Sequence, residues 1–289
     1  MLARVVTALV LAPTVVALVW FAPPALLAPI AALVAILALV EFLKLGERSG
    51  FRAFTNWTIV CAAAIFFVQY AAGQTETHTF AGGNMLVRRF AGGVFSLDIV
   101  FLAFLLGAAG IILAMKRPLH DALPAISVSS AGLLFIALPF SYLVRLDEIE
   151  VRGRQLVLFA LCLVWAGDIV AYFVGRSIGR VKMAPALSPK KTWEGAAGNV
   201  VASLAVGYGF AAWMHADVAI MLLIAALANI AGQMGDLLES SYKRGASVKD
   251  SSGLLPGHGG MLDRIDSLIL AAPVVWILFQ WLGERLVAP

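Results

Sequence analysis

Long apolar runs recur along nearly the whole sequence, each close to the ~20 residues that a helix needs to cross a bilayer. They cover roughly residues 4–22, 24–44, 55–72, 94–115, 122–145, 155–175, 198–215, 217–242 and 266–285. Only 13% of the residues are charged and 61% are hydrophobic, whereas a soluble domain carries about a quarter charged residues. Polar groups cannot cover such a surface, so lipid must. The chain therefore reads as an all-α, polytopic integral membrane protein of about nine transmembrane helices. It forms a single domain over 1–289, with no linker long enough to divide it.

The first run, "MLARVVTALVLAPTVVALVWF", has a signal-peptide flavour, with Arg4 as its charged start. It is long, and a second apolar run follows almost at once, so it reads as a retained span. The two cysteines, Cys61 and Cys162, lie inside apolar runs and read as small buried hydrophobes. No Cys or His spacing suggests zinc.

The formal charge is +4 and the pI about 9.2. In a soluble protein that would raise nucleic acid as a partner. Here the basic residues sit beside spans, where membrane lipid and the positive-inside rule account for them, and no nucleic acid is implied. With nine spans, the N-terminus and even-numbered loops carry fifteen Lys and Arg residues, and the odd loops with the C-terminus carry six. This bias places the N-terminus and the even loops in the cytoplasm. The two richest loops, on either side of the seventh and eighth spans, then share one face.

Charge also enters the spans. The eighth ends "LANIAGQMGDLLESSYKR". At about 100° per residue, Asn229, Gln233, Asp236, Ser240 and Lys243 fall on one helical face, with Glu239 at its flank. Asn229 and Gln233 alone would suit helix packing. Asp236, Glu239 and Lys243 point instead to a water-filled site. In the sixth span, "VWAGDIVAYFVGRSIGR", Asp168 lies well inside the apolar run, with Tyr172 one turn on. It needs a cation, a proton or a hydrogen-bond partner there.

Between the sixth and seventh spans comes "LSPKKTWEGAAGN". Ser188 and Pro189 suggest a turn, and Lys190, Lys191 and Thr192 then lead into a helix start, which suits phosphate. A positive-inside loop is the plainer alternative. No G-x-x-x-x-G-K-[ST] frame is present.

Before the last span stands "GLLPGHGGMLDRID". Asp263 and Asp266 are three apart, so one helical face presents both. Folding back of the connection brings them to Asp236. Carboxylates that converge in a cavity repel one another unless a cation joins them. Mg²⁺ fits, since it takes oxygen ligands, few of them carboxylates, and shares the rest of its shell with water and phosphate. Lys243, Arg244, Lys249 and Arg264 surround this site with positive charge suited to phosphate oxygens. His258 lies between glycines in the same stretch.

These residues resemble a known family, the phosphatidate cytidylyltransferases (CDP-diglyceride synthases). "SSYKRGASVKDSSGLLPGHGGMLDRID", residues 240–266, matches its signature at nearly every position. Tyr242 departs mildly, where an aliphatic residue or Phe is usual. "SPKKTWEG" is similar to a second family segment, and the many-span layout agrees.

The resemblance implies a nucleotidyltransferase that uses CTP and phosphatidic acid to make CDP-diacylglycerol and pyrophosphate. Its active site would be a polar cavity at the cytoplasmic side of a bacterial-type inner membrane. Residues 1–150 would supply N-terminal helices and 151–289 the catalytic helices and loops. On this reading Asp236 and Asp263 are metal ligands for Mg²⁺, and Asp266 is a ligand or supports one. Lys243, Arg244 and Lys249 hold phosphates, and His258 orients or donates to the leaving pyrophosphate. Asp250 and Arg264 join the substrate contacts. Asp168, Ser188, Lys190, Lys191 and Thr192 serve the nucleotide or a second cation. A homodimer is implied by the resemblance alone.

Two rivals are weighed against this. A transporter of a small anionic solute would also place polar residues in spans, but no inverted repeat stands out and the charge gathers at one face. Another lipid-phosphate transferase or kinase is the second, although the D-G-x2-A-R…G-x3-D-x3-D pattern of CDP-alcohol phosphotransferases is absent.

Overall fold

A computed structural model describes residues 2–77, 96–114, 118–254 and 259–286 of the chain, with side chains for 10–73, 96–114, 118–254 and 259–282. His258 lies outside the described residues. The order of elements is α1 (Leu2–Phe21), α2 (Pro24–Arg48), α3 (Thr55–Thr77), α4 (Leu97–Ala114), α5 (Ala122–Gly132), α6 (Leu138–Asp147), α7 (Gly153–Ser177), β1 (Lys182–Ala184), β2 (Ser188–Thr192), α8 (Trp193–Met214), α9 (Val218–Gly245) and α10 (Leu262–Leu286). Among the described residues eight helical stretches are long and apolar enough to cross a membrane, and α1 adds a shorter apolar stretch, Val10–Phe21. The protein is thus an all-α polytopic membrane protein, with one small hairpin among the described residues.

Helix ends follow local chemistry. Pro24 opens α2, where a missing N–H costs nothing. Thr192 caps α8 by accepting the Gly195 N–H at 3.2 Å, and Asp217 caps α9 by accepting that of Ile220 at 2.9 Å. Helices α5 and α6 are one span, Leu119–Asp147, joined through a π-helical turn at Leu133–Ala137. Pro139 follows directly and has no N–H to give back to that turn, which favours the wider spacing.

Contacts divide the chain into two compact units. One is Met1–Glu150 with Asp250–Asp263, and the other is Val151–Lys249 with Arg264–Pro289. In the first, Leu39, Leu43, Ile65, Phe104, Leu133 and Ile136 are fully buried. Polar ties cross between its helices: Trp57 Nε1 donates to the Phe104 carbonyl at 3.1 Å, and Gln69 Nε2 donates to Ser141 Oγ at 3.2 Å. Cys61 is buried here, as expected of a small hydrophobe.

The second unit holds α7, the hairpin, α8, α9 and most of α10. Leu156, Phe159, Leu163, Met221 and Ile224 fill its core. The 188–192 segment differs from the sequence expectation. It is not a turn leading straight into a helix but strand β2, paired antiparallel with β1, and the turn falls earlier, with the Leu187 N–H donating to the Ala184 carbonyl at 3.1 Å. Helices α9 and α10 meet where side chains are smallest. A Cβ on Gly235 would lie 2.5 Å from the Asp266 carbonyl oxygen, so only glycine lets the two backbones approach there.

Gly235→Ala should therefore lower the thermal unfolding temperature in detergent, by overpacking worth about 1–3 kcal/mol. Gly209→Ala, whose added methyl would meet nothing within 4 Å, should not. Equal melting of both variants with the parent would remove this packing argument.

Candidate active site

The α9 stripe read from the sequence resolves into two parts. Its apolar-facing half is a hydrogen-bond network across three helices. Asn229 Nδ2 donates to Ser203 Oγ at 2.6 Å and contacts Asn199 Oδ1, and Gln233 Nε2 donates to Asn229 Oδ1 at 2.7 Å. Asn199 Nδ2 in turn reaches Asp168 Oδ1 at 3.4 Å. Asn229 and Gln233 therefore pack helices, and in doing so they fix the amide that faces Asp168.

The other half is a site. Oxygens of Asp236, Glu239 and Asp266 all lie within 4.8 Å of one another. Glu239 is fully buried, and Lys243 Nζ, one turn along the helix, lies 2.6 Å from its carboxylate. Lys191 Nζ, from β2, lies 2.5 Å from Asp236 Oδ2. Ser240 Oγ donates to Asp236 Oδ1 at 3.4 Å, and the Ser267 N–H donates to Asp266 Oδ1 at 2.7 Å. Three carboxylates at this spacing repel strongly in a medium of low dielectric constant, and the two lysines offset only part of that charge. All three offer oxygen donors alone, the set that suits a hard divalent cation.

Beside this cluster opens a cavity of about 570 Å³ between α7, the hairpin, α8 and α9. Asp168 and Asp236 line it, together with Lys182, Lys190, Lys191 and Thr192. Asp168 sits in the middle of α7, yet its side chain is open to this space rather than closed in by protein. Tyr172 and Arg176 stand along the same helix edge, and Arg176 Nη1 donates to the Tyr172 hydroxyl at 2.8 Å. Anionic and cationic groups thus line one cavity, which is large enough to admit a small molecule.

The other expected residues have the following surroundings. Ser188 is half-buried in β2, away from the cavity lining. Arg244 ties the hairpin down: its Nε donates to the Leu187 carbonyl at 3.0 Å and its Nη1 to the Val248 carbonyl at 2.9 Å. Lys249, Asp250 and Arg264 are exposed. Asp263 is engaged by its own loop. Its Oδ2 accepts from the Ser251 N–H at 3.0 Å, the Ser251 hydroxyl at 2.9 Å and the Gly260 N–H at 2.7 Å.

Helical periodicity places Glu239 only at the flank of a face. Its burial, set by tertiary packing, is what brings it into the cluster. Arg176 and Lys182 read from the sequence as loop charge alone, and their contact with the cavity follows from the hairpin folding back.

Comparison with known proteins identifies the family. Over 231 residues the chain is 36% identical to the phosphatidate cytidylyltransferase of Brucella abortus biovar 1 (strain 9-941), covering 78% of this chain and 83% of that protein. It is 34% identical over 190 residues to the phosphatidate cytidylyltransferase of Bacillus subtilis (strain 168), covering 65% and 70%. Over 149 residues it is 39% identical to that of Staphylococcus saprophyticus, covering 51% and 56%. The resemblance read from residues 240–266 is borne out, and with the family model matching residues 2–282 the chain belongs to the cytidylyltransferase family.

Proposed function

We propose that this chain is a phosphatidate cytidylyltransferase, which joins the cytidylyl group of CTP to phosphatidate and releases pyrophosphate. Relatives of that name support the reading. The observation in this chain that carries it is the lysine-lined cavity sharing Asp236 with a three-carboxylate cluster.

In the reaction an oxygen of the phosphatidate phosphate attacks the α-phosphorus of CTP. A new P–O bond forms as the bond between that phosphorus and the oxygen bridging to the β-phosphate breaks. The electron pair leaves on pyrophosphate, and CDP-diacylglycerol remains. A phosphomonoester has a second pKa of about 6, so the attacking group is largely a dianion at neutral pH and needs no strong base. The work left to the chain is placement and charge neutralisation.

Asp236, Glu239 and Asp266 are assigned to hold a divalent ion such as Mg²⁺, which when bound supplies positive charge to the triphosphate. Lys190, Lys191 and Thr192 meet the nucleotide phosphates, with Ser188 and Arg244 holding their hairpin. Lys191 and Lys243, paired with Asp236 and Glu239 in this structure, would be free to meet phosphate oxygens once a divalent ion neutralised those carboxylates. Asp168 serves the nucleotide or a second cation. Lys249, Asp250 and His258, from the segment before α10, and Arg264, in its first turn, are assigned to substrate, and Asp263 to keeping that segment in place. Phosphatidate is assigned to the α7 edge. There Tyr172 and Arg176 border the cavity, and Ile169 and Phe173, 58% and 63% exposed, offer an apolar surface beside them.

The topology goes with this assignment. Nine crossings, with α1 as the first, put the N-terminus, the hairpin and the segment before α10 on the cytoplasmic side of a bacterial-type inner membrane. CTP is found on that side. The fifteen-to-six bias of Lys and Arg supports it.

Purified protein given CTP and phosphatidate should release pyrophosphate in step with CDP-diacylglycerol. EDTA should stop the reaction and Mg²⁺ restore it. No pyrophosphate from the two substrates together would overturn the function, and full turnover in chelator would overturn the metal assignment. Asp236→Asn and Glu239→Gln should each cost at least about 100-fold in kcat and raise the Mg²⁺ concentration needed for half-maximal rate. Arg176→Ala should raise KM for phosphatidate about tenfold, roughly one charge-assisted hydrogen bond, and leave KM for CTP within twofold. The opposite split would move Arg176 to the nucleotide.

A further inference from the structure

Glu41 is a carboxylate in the last third of a largely apolar helix, α2, and the sequence around it, "LALVEFLKL", carries no acidic neighbour. Its residue is 5% exposed. No cation answers it among the described contacts. Instead both oxygens accept hydrogen bonds from a stretch more than 200 residues later. Ser252 Oγ donates to Oε1 at 2.6 Å and the Met261 N–H donates to the same oxygen at 3.0 Å. The Leu262 N–H donates to Oε2 at 2.8 Å, and Ser251 Oγ lies 2.9 Å from that oxygen. The Ser251 hydroxyl is also 2.9 Å from Asp263 Oδ2. It has one proton, so it serves one carboxylate at a time.

This arrangement does three things. It caps α10, because the Met261 and Leu262 N–H groups are among those that a helix start leaves without intrahelical partners, and a carboxylate there also complements the helix dipole. It ties Ser251 and Ser252 to the residues that begin α10. It also excludes a side chain at Gly260, where a Cβ would lie 2.0 Å from Ser251 Oγ and 2.4 Å from Glu41 Oε2. Glycine is required there by the closeness of the carboxylate itself.

The geometry points to Glu41 as a positioning residue for cytidylyl transfer. From α2 it fixes the first turn of α10, and so the placement of Asp263. This rests on the function proposed above. Three donors given to one buried carboxylate, with a serine hydroxyl shared between it and Asp263, exceed what helix packing asks for, and each of them belongs to the segment that carries the signature residues. Glu41 touches no reacting atom. Its effect is on where the groups of α10 stand.

The test is Glu41→Gln, which keeps the size but sets an amide donor against a backbone N–H that cannot turn away. In metal-free protein, hydrogen exchange at the Met261 and Leu262 amides should speed up at least tenfold, with exchange in the middle of α3 unchanged. With substrates and Mg²⁺, kcat should fall by about 10–100-fold, the scale of a 1 Å misplacement, and KM for phosphatidate should stay within twofold. Ser252→Ala should lower kcat less, and combining it with Glu41→Gln should cost less than the product of the two. If Glu41→Gln does not fold, Ser251→Ala and Ser252→Ala carry the same exchange measurement. Unchanged exchange at both amides overturns the anchoring whether or not the parent turns over CTP. Faster exchange with parent-like kcat overturns the link to catalysis. A parent that makes no product overturns the proposed function alone.

Discussion

An acidic side chain within an apolar span must be answered, by a cation or by hydrogen-bond donors, because nothing in a lipid interior will answer it. The arrangement of this protein follows from that requirement being met in two ways. In the unit that contains α7 to α9, Asp236 and Glu239 are met by Lys191 and Lys243. In the unit that contains α2, Glu41 and Asp263 are met by backbone N–H groups and serine hydroxyls.

The difference matters for chemistry. A lysine ammonium sits on a flexible four-carbon stem and can be traded for another cation. Backbone N–H groups at a helix start cannot move without moving the helix. Carboxylates paired with lysines are thus suited to a site whose partners change during a reaction, and carboxylates held by backbone are suited to a frame. A buried ion pair contributes little net stability once desolvation is counted, whereas losing one partner leaves a costly buried charge, and the Lys243–Glu239 pair is of this kind.

The spans are legible in the sequence because their signal is summed over about 20 residues and survives local exceptions. The carboxylates of α9 and α10 are legible because charge in an apolar run is rare. Glu41 has the same signal, a single acid inside "LALVEFLKL", but its role is hidden because its donors lie more than 200 residues away and no local spacing pairs them. The hairpin is hidden for another reason. "SPKKT" has Pro and two lysines, poor strand formers, and it becomes a strand only by pairing with β1 over the cavity. Asp263 shows the limit of spacing arguments. Its place three residues before Asp266 is real, but which of its oxygens is taken, and by what, depends on how the chain turns at Gly259, where φ is +82°.

The network of Asn199, Asn229 and Gln233 links these points. Amide side chains on α8 and α9 bond to one another, and the end of that chain is the Asp168 carboxylate. In a low-dielectric surrounding, a polar network with every member satisfied is rigid, and one with a gap is costly. Breaking it at Asn229 would leave Gln233 and Asn199 seeking partners in the wet space nearby, the cavity itself. The network therefore keeps the cavity's polar lining turned toward substrate instead of collapsing onto its own charges. Because Asn199 and Gln233 themselves line the cavity, the bonds that pack α8 against α9 also orient polar groups of its wall.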